Sequence, residues 1–273
     1  MSTDDIAPQR TRPVRFQRLA EQVADDLRRR ILLGDLEDGA DLPVEEELRA
    51  EYPVSKPTLR EAMRVLEAEG LITVRRGSIG GAVVHRPAAA NVAYTLGLVL
   101  ASRRIDIADV GAALREVEPA CAAACAERED RHQVVVPALR LLYERSIEVV
   151  DDLVAVTTAS RQFHEAIVDL CGNHSLTLMA GALEAIWSMH ESEWAHRKAD
   201  ATKIPREERL AALDEHRELL ELIELGDSDG ARRKAAGHLV ISQTYPRNPD
   251  DTNLVDAEVV RRAFVDHTLS DKS

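Results

Sequence analysis

The sequence predicts a mainly α-helical chain in two parts: a small N-terminal module of three helices closed by a β-hairpin, then a larger all-α antiparallel helical bundle. Three observations predict it. Aromatic residues make up only 3% of the chain against 45% hydrophobic residues in all, with Ala, Leu, Glu and Arg frequent, which suits helix packed on helix better than a sheet-rich fold. Apolar residues recur at helical spacing through most of the chain, and a short β-type stretch interrupts them after Gly70. Charge is unevenly placed: the chain carries a formal net charge of -13, yet residues 12–86 hold 13 basic against 14 acidic residues. The first part can therefore present a basic face, whereas the acidic second part would be repelled by a polyanion.

At 273 residues the chain is long enough for one large or two modest domains. Its start, MSTDDIAPQRTRP, is polar and lacks an apolar signal region. The longest apolar run, around Val92 to Ala101, falls far below the roughly 18 residues of a membrane span. A cytoplasmic protein with no membrane partner is expected. Cys121, Cys125 and Cys171 are odd in number and form no C-x2-C pair, and the first two share one face of an Ala-rich helix, so they read as buried reduced thiols.

Leu19, Val23, Leu27 and Ile31 recur every four residues, with Ala20 and Ala24 beside them, until Gly34 supplies a helix stop. DLEDGADLP reads as a loop. A second helix is expected from Val44 to Glu51, broken by Tyr52-Pro53 because the residue before proline avoids the helical region. Ser55 offers an N-cap, and Pro57 is tolerated in the first turn of the third helix. There Leu59, Ala62, Met63 and Leu66 form an apolar stripe, leaving Lys56, Arg60 and Arg64 on a flank about 110° round the helix. After Gly70, LITVRR and AVVH read as two short strands joined by the glycine-rich turn GSIGG, with two arginines at its mouth.

Three short helices followed by a hairpin is the order of a winged helix-turn-helix, here over residues 14–86. Such a module sends its third helix into the major groove while the wing follows the backbone. Contacts to double-stranded operator DNA are then expected from Lys56, Thr58, Arg60 and Arg64 on the helix and from Arg75, Arg76 and Gly77 at the wing. Taken alone, a helix with three cations beside glutamates also reads as a solvated surface. The stretch LAEQVADDLRRRILLGDLEDGADLPVEEELRAEY, continuing through PVSKPTLREAMRVLEAEGLITVRRGSIGGAVV, resembles the GntR family of bacterial transcription regulators. Two departures from that pattern stand out. Glu46 occupies a position where the family usually has a basic residue, and Pro53 replaces the usual glycine before the V-S pair.

RPAAAN, residues 86–91, reads as a linker to a second domain over residues 92–245. Helices are expected at Val92 to Ala101, Ile107 to Arg128, Val134 to Val149, Leu153 to Cys171, Leu176 to Lys198, Glu207 to Leu225 and Gly230 to Tyr245. His164, His216 and His238 each fall on the apolar stripe of a different helix. A single inward histidine is commonly a satisfied core residue; three converging imidazoles are the usual ligands of zinc, nickel and similar divalent ions. His190 also faces inward, beside Ile186 and Trp194, while His85, His132, His174, His196 and His267 read as surface or loop residues. The tail, residues 246–273, mixes proline with acidic and basic residues; a short helix at Val255 to Phe264 is possible from its pattern, and no function is assigned to it.

SRQFHEAIVDLCGN and LDEHRELLELIELGDSDGARRKAAGHL resemble the FCD effector domain of the FadR-type branch of the same family, over roughly residues 92–245. In metal-containing members the ligands are one aspartate and three histidines. The histidines match at His164, His216 and His238, but the aspartate position is Ser160. The resemblance implies a divalent metal, zinc first with nickel or manganese as alternatives, and a small carboxylate effector. An arginine of an R-x-x-E stretch would hold that effector, here Arg115 with Glu118, and His190 would line the pocket. Arg115 and Glu118 read equally well as a surface ion pair. The function implied is a homodimeric, effector-controlled repressor and not an enzyme. The alternatives are the same regulator with a metal-free pocket for an acid or acyl ligand and, more remotely, a metal-dependent hydrolase.

Overall fold

The structure, a computed structural model, describes residues 14–75, 81–87, 89–198, 204–243, 253–256 and 258. The chain divides into two compact units, Met1–Ala88 and Ala89–Ser273.

The first unit contains α1 (Val14–Leu33), β1 (Asp41–Leu42), α2 (Glu45–Glu51), α3 (Lys56–Ala68), β2 (Ile72–Val74) and β3 (Ala82–Val84). The strands form one antiparallel sheet in the order β1-β3-β2, with Thr73 opposite Val83 and Leu42 opposite Ala82. Three helices with a small wing are thus present, and β1 is an addition: two of its residues lie inside the stretch expected to be a loop. Two residues are too few to show period-two alternation, and the strand exists because Leu42 is buried and β3 offers a free edge.

The core is built from Val23, Ala24, Leu27 and Ile31 of α1, Leu48 of α2, and Leu59, Ala62 and Leu66 of α3, closed by Ile72 and Val84. Leu19 is exposed, so the buried stripe of α1 starts at Ala20. Gly34 ends α1 at φ +89°, a left-handed conformation in which only glycine escapes a steric penalty. Ser55 caps α3, its hydroxyl accepting from the Thr58 amide at 3.3 Å, and Glu47 folds back so that its carboxylate accepts from the Val44 amide at 3.1 Å.

The second unit is a bundle of α4 (Ala89–Ser102), α5 (Ile107–Glu127), α6 (Val135–Glu148), α7 (Leu153–Asp169), α8 (His174–Lys198), α9 (Arg206–Leu225) and α10 (Ser228–Ser242). The start of α4 takes in the last residues of the segment expected to be a linker. Asp106, Asp152 and Asp227 cap α5, α7 and α10 with side-chain oxygens on first-turn amides. The central helix is α5, packed against α7, α8, α9 and α10. Its Cys121 and Cys125 join Leu139, Phe163, Ile167, Leu219 and Ile223 in the main core. All three cysteines are buried and pack as apolar groups, and burial pushes the Cys125 thiol up to about 12, which keeps it unreactive.

The tail is more than an appendage where it is described. The Ile107 amide donates to the Asn253 carbonyl, the Val255 amide donates to the Ile105 carbonyl, and Val255 is buried beside Ile107. Most of the expected helix at Val255 to Phe264 lies outside the described residues, as does His267. Among the described residues, no helix is long and apolar enough to cross a membrane.

Candidate metal centre and nucleic-acid interface

The cap at Ser55 sets the start of α3, whose first three turns carry the cations. The side chains of Lys56, Arg60 and Arg64 are 52%, 62% and 76% exposed. Each meets a nearby carboxylate: Lys56 Nζ lies 2.8 Å and Arg60 Nε 3.4 Å from the two oxygens of Glu45, and Arg64 lies 3.3 Å from Glu61. Arg75, at the end of β2, pairs with Asp41 at 2.7 Å. Exposed pairs of this kind are worth at most about 1 kcal/mol, so a phosphate can replace the carboxylates at small cost. Arg60, Arg64 and Arg75 line one cleft of about 450 Å³ between α3 and the wing.

Thr58 differs from its neighbours. It is buried and its hydroxyl lies 2.7 Å from that of Ser55, which makes it a partner in the helix cap. Arg76 and Gly77 lie outside the described residues. Glu46 is exposed on the first turn of α2, where Glu45, its neighbour, is the residue that meets the recognition-helix cations.

In the bundle, α7, α9 and α10 bring His164, His216 and His238 together, each at least 97% buried. Their Nε2 atoms form a triangle: 3.2 Å from His164 to His216, 3.0 Å from His216 to His238, and 3.2 Å from His238 to His164. Phe163 stacks on the His216 ring at 4.4 Å between centroids and holds its plane. Burial keeps all three imidazoles neutral: it drives His164 and His216 well below their ordinary range and pushes His238 down to about 2, with the nearby Arg161 charge acting in the same direction.

Three ring nitrogens cannot satisfy one another in this triangle. With one Nε2 proton, at least one contact remains lone pair against lone pair; with two, two N–H groups face each other; with none, all three contacts repel. A cation at the centre satisfies all three. Nitrogens 3.0–3.2 Å apart, each about 2.0–2.1 Å from an ion, would subtend about 90–106° there, which fits three ligands on one face of a metal with its other positions open. His164 Nδ1 lies 2.5 Å from Glu118 Oε1, and with Nδ1–H donating to an ionised Glu118 the Nε2 lone pair is the one turned toward the centre. The donor set therefore fits a divalent metal. Among the described residues, the three histidines form the cluster without a carboxylate as a fourth member, and Ser160, half-buried one turn before His164, supplies none.

Of the two readings of the R-x-x-E stretch, the surface ion pair is not formed. Glu118 is fully buried on His164, and Arg115 Nη1 donates instead to Gln243 Oε1 at 2.5 Å. His190 is half-buried, its ring 6.3 Å from that of Trp187.

Sequence reasoning also missed Arg161, which is 4% exposed and bridges α7 to α8 through Glu184 at 2.8 Å and Glu191 at 2.7 Å. Burial pushes Glu118 up to about 7 and Glu184 up to about 8, with Arg161 opposing both. The available signal was a charged residue at 161 between helix positions that pack, one turn before a core histidine.

Residues 19–83 match the family model described as bacterial regulatory proteins, gntR family, and residues 109–240 match the FCD domain. The protein named as regulator of the L-lactate dehydrogenase operon in Escherichia coli strain K12 is 26% identical over 252 residues, covering 90% of this chain and 93% of that protein. The HTH-type transcriptional repressor NanR of Escherichia coli strain K12 is 26% identical over 262 residues, covering 92% and 95%. The solved structure of Streptococcus agalactiae GntR superposes with a TM-score of 0.61 at 22% identity, over 82% of this chain and 98% of that one, and shares its fold.

Proposed function

The chain belongs to the GntR family of bacterial transcription regulators, with an FCD domain behind its DNA-binding module, and from that premise we propose that it is an effector-controlled repressor acting as a homodimer in the cytoplasm. A dimer presents two recognition helices about 34–36 Å apart to a pseudo-palindromic operator. Lys56, Arg60 and Arg64 contact DNA from α3, and Arg75, Arg76 and Gly77 from the wing. His164, His216 and His238 hold a divalent metal, zinc first with nickel or manganese as alternatives. The metal supplies a Lewis-acidic anchor for the oxygen atoms of a small carboxylate effector. Arg115 and His190 contribute to binding that effector, and Glu118 orients His164.

The observation that carries this reading is the Nε2 triangle, which no arrangement of protons satisfies and a cation does. Coupling between such a ligand and operator affinity is typically about 1–3 kcal/mol, a factor of about 5 to 150.

Fluorescence anisotropy on duplexes drawn from the DNA beside the protein's own coding sequence tests the reading. Zinc-loaded protein is expected to bind one duplex selectively and to bind it more weakly when L-lactate, malonate or succinate is added, whereas chelated protein should not respond to the acid. A response that survives chelation would contradict the metal's role and leave a metal-free acid pocket. Failure to select any duplex would contradict the regulator.

A further inference from the structure

One face of α5 meets α7, α8 and the end of α10. Gly111, Arg115 and Glu118 recur at i, i+4 and i+7 and therefore share a helix face. Glu118 holds His164, and Arg115 holds Gln243 at the C-terminal cap of α10. Gly111 leaves the space the glutamine occupies: a Cβ there would lie 2.9 Å from Gln243 Oε1 and 2.8 Å from the Trp187 ring.

Gln243 is 9% exposed, and its Nε2 is buried with no hydrogen-bond partner among the described residues. The orientation of the amide is set by Arg115, because an Nε2 turned toward the guanidinium would place donor against donor. A buried donor without an acceptor is destabilising, so its place in the fold calls for an acceptor that arrives later. The position suits one. Arg115 lies three residues before Glu118 on α5, and Gln243 lies five residues beyond His238 on α10. The pair is thus displaced along the helices by about 4.5–7.5 Å from the histidine centre, one turn or a little more.

We propose that Gln243 is a specificity-determining residue of the effector site: with Arg115 it reads a second acceptor group of the ligand, a turn away from the group held by the metal. This rests on the metal-anchored carboxylate reading and narrows it. The effector class is a short two-headed acid, one end giving oxygen to the metal and the other accepting from the Arg115 guanidinium and the Gln243 amide. A carboxylate suits the second end because it takes donors from both side chains at once.

The test compares malonate, succinate and glutarate with the monocarboxylates of equal carbon number, propionate, butyrate and valerate, on the zinc-loaded full chain. Binding is followed by intrinsic fluorescence, since Trp187 lies against Gly111, and by calorimetry. At least one diacid is expected to bind about tenfold to a hundredfold tighter than its monoacid partner, the scale of hydrogen bonds to a charged group. Gln243→Met, which removes the amide at similar size, and Gln243→Glu, which adds a repelling charge, should each abolish that preference. Gly111→Ala should reduce it from the opposite side by displacing Gln243, with the zinc content of every variant matching that of the wild type.

A preference that persists in Gln243→Met would overturn the assignment. So would wild-type protein that binds monoacids and diacids alike, a result that leaves the metal-anchored carboxylate intact. Zinc-loaded protein that binds none of the six acids would contradict that broader reading as well.

Discussion

His164, His216 and His238 are neutral because they are buried, and that decides how the metal-free protein responds to acid. An unfolded chain protonates these imidazoles below about pH 6.5, whereas the folded chain does not, so protons favour unfolding as pH falls through that value. Glu118 and Glu184 act in the opposite sense. Their folded forms keep protons up to about 7 and about 8 that the unfolded chain releases above about 4.5, so they lose stability as pH rises through that interval. Thermal melts of chelated protein should therefore peak near pH 6.5 and fall on both sides; a melting temperature that rises steadily from pH 5 to 8 would contradict the burial of these carboxyls. At the DNA face the acidic residue to test is Glu45. Glu45→Gln releases Lys56 and Arg60 and is expected to raise operator affinity about two- to fivefold in anisotropy titrations, in keeping with a surface pair of less than about 1 kcal/mol. Weaker binding by that variant would show that the pair prepositions the cations instead.

The helices rest on local devices, and this is why they were legible in the sequence. Ser55, Pro57 and the stripe Leu59, Ala62, Leu66 specify α3 without reference to the rest of the chain, and Ser55→Ala should cost about 0.5–2 kcal/mol in thermal unfolding through loss of its bond to the Thr58 amide. A loss near zero would mean that packing alone holds the turn. The inward histidines were legible for the same reason, since each lies on the apolar stripe of its own helix. Partners across helices were not. Arg115 and Glu118 stand at ion-pair spacing, yet one is held by Gln243 of α10 and the other by His164 of α7, a choice made by packing and invisible to periodicity. The strand β1 escaped notice because two residues carry no pattern, and nothing local marks the burial of Thr58 beneath the cap.

At the scale of the molecule, formal charge separates the two units: residues 1–88 carry -2 and residues 89–273 carry -11. DNA binding should accordingly depend on a few placed cations and be strongly sensitive to salt. A dimer that brings Lys56, Arg60, Arg64 and Arg75 from each chain to phosphates should show a slope of log K against log salt near about -7, against about -4 for a single module. A slope near the smaller value would contradict paired recognition helices.

The central claim is that the three-histidine triangle holds a metal without the aspartate that Ser160 replaces, and elemental mass spectrometry tests it most directly. Protein purified without chelator or a histidine tag would be compared with a His164→Ala, His216→Ala double variant. The expected result is about one zinc, nickel or manganese ion per chain in the wild type and none in the variant. A wild type that carries no metal, even after exposure to zinc, would contradict the claim and leave the triangle without the cation that its nitrogens require.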